Sequence, residues 1–211
     1  TAGLRRCCTL RPMIRRAMIA TAAACLASTL WAAPPPDIDW SKAHQDTLDH
    51  FINLLKIDTS SPPGNEFQAV EYLKKVLDKE GIAYDVFSLE PDHANLVARI
   101  KGNGSKRPII VMGHTDVVGV QREKWTVDPF GGVRKDGKDQ RTAALMTVIL
   151  LKRMNIALDR DVIFIAEAGE EGNSRVGIGH LVKEHWNAIE AEYCLAEGGY
   201  VGSRDGRIRV V

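Results

Sequence analysis

The chain has 211 residues, 45% of them hydrophobic and 26% charged, with a formal net charge of +1 at pH 7. This composition fits a globular protein with a core of ordinary size and excludes disordered and fibrous classes. The near-neutral total hides an asymmetry: residues 1–33 hold five arginines and no acid, so 23 of the 28 basic residues face all 27 acidic ones in the remainder. A mildly acidic body with no basic stripe offers no footprint for nucleic acid.

The leader has its own pattern. From Met13 the chain reads Met-Ile-Arg-Arg, then an apolar, alanine-rich run from Ala17 to Leu30, then Trp31-Ala32-Ala33 before Pro34-Pro35-Pro36. That order of charged, apolar and small residues is the order of a secretory signal peptide. It predicts translation from Met13, residues 1–12 as upstream sequence, a leader over 1–33, a Pro-rich spacer over 34–40 and a periplasmic or secreted product. Lipid attachment at Cys25 is the poorer fit, because the residues before it do not suit it. The run is short for a membrane span, and no other apolar stretch reaches about 18 residues, so no stable span is expected after leader cleavage. Cys7, Cys8 and Cys25 lie in the leader, which leaves Cys194 alone in the body without an intrachain disulfide partner. In Tyr193-Cys194-Leu195 it reads as a small buried apolar residue.

Past the spacer, Leu48, Phe51, Ile52 and Leu55 recur at helical spacing and predict an amphipathic helix over 41–57. Asp58 to Gly64 breaks it. Asn65 followed by Gln68 resembles a capping box for a second helix, carried by Phe67, Val70, Leu73 and Leu77 and stopped by Gly81. Short β-rich runs follow over 84–89, 95–100 and 108–112. A helix is predicted over 142–154, a buried strand over 161–166, a helix over 179–186 and a strand over 192–195. This alternation predicts an α/β fold with a mostly parallel central sheet flanked by helices. Arg207 to Val211 has strand character, and a chain ending there reads as a fragment.

Three acid- or histidine-bearing motifs directly follow buried strands: Gly113-His114-Thr115-Asp116, Ala168-Gly169-Glu170-Glu171-Gly172 and Ala196-Glu197-Gly198-Gly199. In an open α/β sheet, ligands bind beyond the strand C-termini, so these residues can converge although they are distant in sequence. One imidazole and several carboxylates are what a catalytic zinc site needs. Asp116 can accept the second ring N–H of His114 and fix its tautomer. Asp136, Glu170, Glu171 and Glu197 together concentrate enough negative charge to call for cations.

With Trp125-Thr126-Val127-Asp128-Pro129-Phe130 between them, these motifs resemble the M20 metallopeptidases, a group of zinc carboxypeptidases, aminoacylases and deacylases. The resemblance covers roughly residues 41–211. It implies a zinc-exopeptidase-like catalytic domain with two zinc ions sharing a bridging water, cobalt or manganese being able to substitute, and a peptide or N-acyl amino acid as substrate. By that match His114 and Glu197 are ligands of one zinc, Glu171 a ligand of the other, Asp116 the orienter of His114 and Glu170 the general base. The family's Tyr-Gly-Arg-Gly-type segment is missing after Gly132. Asp136, 34 residues before Glu170, stands in the register of the bridging Asp, and reads equally as a turn aspartate in Lys135-Asp136-Gly137-Lys138. The family's last histidine ligand and its smaller lid domain, which often carries dimerisation, are also missing, and a homodimer is expected only with that domain. His180 and His185, five residues apart on a helix, do not share a face and read as surface residues; His44, His50 and His93 have no motif around them. Three readings follow: a two-zinc amidohydrolase, a single-zinc hydrolase using His114, Glu171 and Glu197, or a non-catalytic remnant of such an enzyme.

Overall fold

Five consecutive apolar residues, Val162 to Ala166, cannot leave one face of a strand in water, and the strand Val162–Glu167 is accordingly the buried centre of the sheet. The computed structural model describes residues 37–133, 142–198, 201–204 and 207–210; the leader over 1–33, Pro34 to Pro36 of the spacer and Asp136 lie outside the described residues. In chain order the elements are helix α1 (Trp40–Leu55), β1 (Ser60–Ser61), α2 (Glu66–Glu80), β2 (Tyr84–Glu90), β3 (His93–Ile100), β4 (Ile109–His114) and β5 (Val117–Val118). Then come α3 (Ala143–Met154), β6 (Val162–Glu167), α4 (Ile178–Glu184), α5 (Trp186–Ile189), β7 (Tyr193–Leu195) and a hairpin of β8 (Val201–Arg204) and β9 (Arg207–Val210). Among the described residues no helix is long and apolar enough to cross a membrane.

The main sheet has the order β2-β3-β6-β4-β7. The α/β class is as expected, but the sheet is mixed rather than mostly parallel. β4 runs parallel to both β6 and β7, whereas β3 pairs antiparallel with β2 and with β6. The reason is local: Pro91-Asp92 joins β2 and β3 too tightly for a crossover, so they form a hairpin. The parallel half is the half that carries the candidate site.

Alternation along the strands sorts side chains into two cores. Val162, Phe164 and Ala166 of β6, with Leu96 and Ala98 of β3, pack against Val70, Leu73 and Leu77 of α2 and Leu145, Val148 and Ile149 of α3. Ile163 and Ile165, with Val97 and Ile110, pack on the other face against Leu181 of α4 and Ile189 of α5. Each of the larger side chains, the valines, leucines, isoleucines and Phe164, contributes about 1.5–3 kcal/mol on burial.

Helix ends follow local chemistry, with three departures from expectation. Asp39 caps α1 by accepting the Lys42 amide (3.0 Å), and α2 stops at Gly81 in the left-handed region (φ 63°). Asn65, however, makes no side-chain cap bond, and the capping box does not form; the Gln68 amide donates to the Asn65 backbone carbonyl at 3.1 Å, and the Phe67 amide to the Asp92 carbonyl at 3.1 Å. The helix expected over 179–186 breaks at His185, which has φ −131°, and resumes as α5. Cys194 is exposed rather than buried, because β7 is an edge strand with a partner on one side only among the described residues.

Three helices are tied together by one guanidinium. Arg153 of α3 grips Glu80 of α2 with Nε and Nη2 (2.9 and 2.6 Å) and reaches Asp46 of α1 with Nη1 (2.6 Å). The Arg153 hydrogen bonds hold Glu80 below its ordinary range against the opposing effect of burial. For Asp46 burial raises the pKa, but Arg153 and Lys42 outweigh it and the net shift is downward. Both folded-state values are depressed, so the stabilisation is complete above the ordinary carboxylate range and is lost as pH falls through the depressed values. Arg153→Ala is expected to cost about 1–2 kcal/mol at pH 7. Urea denaturation of both proteins from pH 7 to pH 3 should show that difference shrinking at the acid end.

Candidate metal centre

Parallel strands place their C-terminal ends side by side, and here three adjacent ends deliver the acid- and histidine-bearing motifs to one edge of the sheet. His114 is the last residue of β4 and stands in register with Glu167, the last of β6. The Ala168–Gly172 turn follows β6, and Glu197 follows β7 on the other side of β4. The expected convergence of His114, Glu170 and Glu171 is found: one ligand atom from each lies within 4.8 Å of the others. Glu197 approaches His114 from the other side, its Oε2 3.3 Å from His114 Nε2. Asp136 lies outside the described residues.

The turn bearing the two glutamates is shaped by buried side chains. Four successive amides donate outward: Ala168 to Asn95 Oδ1 (2.9 Å), Gly169 to Glu66 Oε1 (3.1 Å), Glu170 to Asp116 Oδ1 (3.1 Å) and Glu171 to Asp116 Oδ2 (2.9 Å). Asn95 and Glu66 are fully buried and Asp116 nearly so. Gly169 has φ +66°, and a Cβ there would stand 2.5 Å from the Asn173 carbonyl oxygen, the oxygen-bearing backbone that closes the turn; the Asn173 amide in return donates to the Gly169 carbonyl at 2.8 Å. Asn95 Nδ2 also donates to the Val176 carbonyl (2.8 Å), and the Ile178 amide donates to Glu167 Oε2 (3.1 Å). Thr115 anchors the other side, with its amide and its hydroxyl both donating to the Glu167 carbonyl at 2.8 Å.

His114 is oriented through Asp116, with a change of acceptor. Its Nδ1–H is nearest the Asp116 backbone carbonyl (2.9 Å), and the carboxylate expected in that role stands at 3.3 Å. Either contact leaves Nε2 facing Glu197. The Asp116 hydrogen bond pushes His114 up to about 9, against burial and with help from the charge of Glu170. Burial would raise Asp116, but the His114 hydrogen bond and the Glu171 and Glu170 amides outweigh it and draw it down. Glu167, beside them and buried, is pushed up by desolvation despite the Ile178 amide. One imidazole with a fixed ring and an outward-facing Nε2, set among exposed carboxylates, fits a divalent cation of the zinc type.

Glu66, Asn95 and Glu167 are the residues that sequence reasoning passed over. Asn95 carried a signal, a lone amide inside Ala94-Asn95-Leu96-Val97; Glu66 and Glu167 carried none, each standing where an acid commonly meets solvent. The remaining histidines lie outside the donor cluster, though not all at the surface. His93 meets Glu66 (2.8 Å) and His50 meets the Tyr72 hydroxyl (2.7 Å). His180 is buried, edge-on to His185 with ring centroids 4.8 Å apart, and His185 stacks on Phe87 at 4.0 Å. The break at His185 turns its ring back toward His180, which a continuous helix would not do.

Residues 110–209 match the family model of peptidase family M20/M25/M40. A probable succinyl-diaminopimelate desuccinylase of Staphylococcus aureus is 32% identical over 178 residues, which cover 79% of this chain and 40% of the relative. The chain thus spans about two fifths of the length of the curated relative it matches. Among solved structures, an M20 family metallo-carboxypeptidase from Sulfolobus solfataricus aligns with a TM-score of 0.60 at 22% identity, over 72% of this chain and 37% of that one. A dinuclear metal-binding peptidase of the same family from Bacillus subtilis aligns with a TM-score of 0.54 at 21% identity, over 71% and 42%. At these identities the structural likeness speaks for the fold.

Asp116→Ala removes the acceptor of two turn amides and the carboxylate 3.3 Å from His114 Nδ1, while the backbone carbonyl that the ring meets at 2.9 Å remains. It is expected to cost about 2–4 kcal/mol of stability and to weaken zinc uptake roughly 10–100-fold, read by chemical denaturation and by calorimetric titration with zinc.

Proposed function

With residues 110–209 belonging to peptidase family M20/M25/M40, we propose that this chain supplies the metal-binding, water-activating part of a hydrolase that cleaves an amide bond in a peptide or an N-acyl amino acid. The observation that carries the reading is the meeting of His114, Glu170 and Glu171 within 4.8 Å at the ends of parallel strands, with Glu197 3.3 Å from the free nitrogen of His114.

In this reading His114 and Glu197 would hold one zinc and Glu171 the other, and Asp116 fixes the His114 ring so that Nε2 is presented. Zinc bound there would supply Lewis acidity, polarising the scissile carbonyl and making water a better nucleophile near neutral pH. Glu170, exposed at the turn, takes a proton from water as its oxygen attacks the carbonyl carbon. It returns that proton to the amine nitrogen as the C–N bond breaks, leaving a carboxylic acid and a free amine. Asp136 would bridge to a second ion. A single-ion site held by His114, Glu171 and Glu197 is the alternative. Export under the 1–33 leader would place the reaction in the periplasm or outside the cell, and N-terminal sequencing of the mature protein tests that part.

Calorimetric titration should give one or two zinc ions per chain, lost in His114→Ala and weakened in Glu171→Gln. Glu170→Gln should retain zinc while hydrolysis of N-succinyl and N-acetyl amino acids and of dipeptides falls about 100-fold or more, and a chelator should abolish it in the parent. Absence of zinc binding, or hydrolysis indifferent to chelator, would refute the reading.

A further inference from the structure

We propose that Glu66, backed by His93, is a positioning residue for the turn that bears Glu170, acting through the Gly169 amide. The inference rests on the reading of Glu170 as the general base. Glu66 is the first residue of α2, where an acid ordinarily turns toward solvent and the helix amides; here its side chain is fully buried. Its two oxygens have separate partners: Oε1 accepts the Gly169 amide at 3.1 Å and Oε2 accepts from His93 Nδ1 at 2.8 Å. A buried carboxyl group is retained at a cost that an apolar side chain would avoid, and neither of its contacts caps the helix on which it sits. What it does hold is the residue preceding Glu170.

The backbone makes that hold effective. Gly169 has φ +66° and no side chain of its own to bias its rotation, so its amide plane needs an outside anchor. Asp116 fixes the next two amides, and Glu66 supplies the fixed point on the other side of Glu170. His93 keeps the Glu66 carboxyl aimed at the turn. Room for the pair comes from Gly64, where a Cβ would stand 2.5 Å from His93 Cε1 and 2.9 Å from Glu66 Oε2. Without Glu66, Gly169 can pivot and swing the Glu170 carboxylate, while the β3 and β6 strands beneath stay paired.

Amide hydrogen exchange on the full chain tests this, with zinc titration alongside. Glu66→Ala is expected to speed exchange at Gly169, Glu170 and Glu171 about tenfold or more, with β3 and β6 unchanged, and to weaken zinc binding about tenfold. Glu66→Gln, whose carbonyl can still accept from Gly169 and whose amide can donate to His93, is expected to stay within about threefold of the parent. If Glu66→Ala does not fold, His93→Phe carries the test, with the same three amides quickened about threefold or more. Unchanged exchange at 169–171, or equal loosening of every strand, overturns the proposal. Selective loosening of the turn in a chain that takes up no zinc leaves the positioning role standing and removes the metal reading instead.

Discussion

A turn that presents two adjacent glutamates to one point cannot be shaped by its own backbone alone, and in this protein the shaping is done by side chains buried beneath it. Asn95 from β3, Glu66 from α2 and Asp116 from the β4–β5 connection take the four amides from Ala168 to Glu171. Each acceptor comes from a different element, so the turn has its shape only when the sheet, the second helix and the strand ends are all in place. Fold and site are therefore the same set of constraints. An apolar packing core would tolerate small displacements of these elements; hydrogen bonds to successive amides do not.

Charge explains why the arrangement is asymmetric. Asp116 is buried and saturated with donors, whereas Glu170, Glu171 and Glu197 are exposed at the rim. The buried acid can serve structure because the His114 ring and two amides meet it. The exposed acids keep their oxygens free for a cation or a proton, and water screens their mutual repulsion while none is bound. Roles are thus divided among chemically identical groups by position alone.

The meeting of His114, Glu170, Glu171 and Glu197 was legible because each motif follows an apolar run and carries glycine, a local pattern that a buried strand and its exit turn impose. Their supports were not. Asn95 and Glu66 meet the turn across 73 and 103 residues of sequence, and nothing near either residue marks so distant a partner. Cys194 was misjudged for a related reason: an apolar triplet announces a strand but not whether that strand lies at the centre or the edge. His180 and His185 failed on a different ground, since angular arithmetic assumes a helix that continues, and this one breaks at His185. The capping box at Asn65 failed because the Gln68 amide donates to the Asn65 backbone carbonyl and not to its side chain.

β6 belongs to both cores at once, with Val162, Phe164 and Ala166 on one side and Ile163 and Ile165 on the other, and it ends where the glutamate turn begins. A layered protein can lose one helical layer while the other survives only if the layers are rooted in different strands. Here neither can be stripped away without exposing the strand that the other depends on, so the two layers are expected to unfold as one cooperative unit. The glutamate turn, attached directly to that strand, has no partly melted state of the body in which to persist.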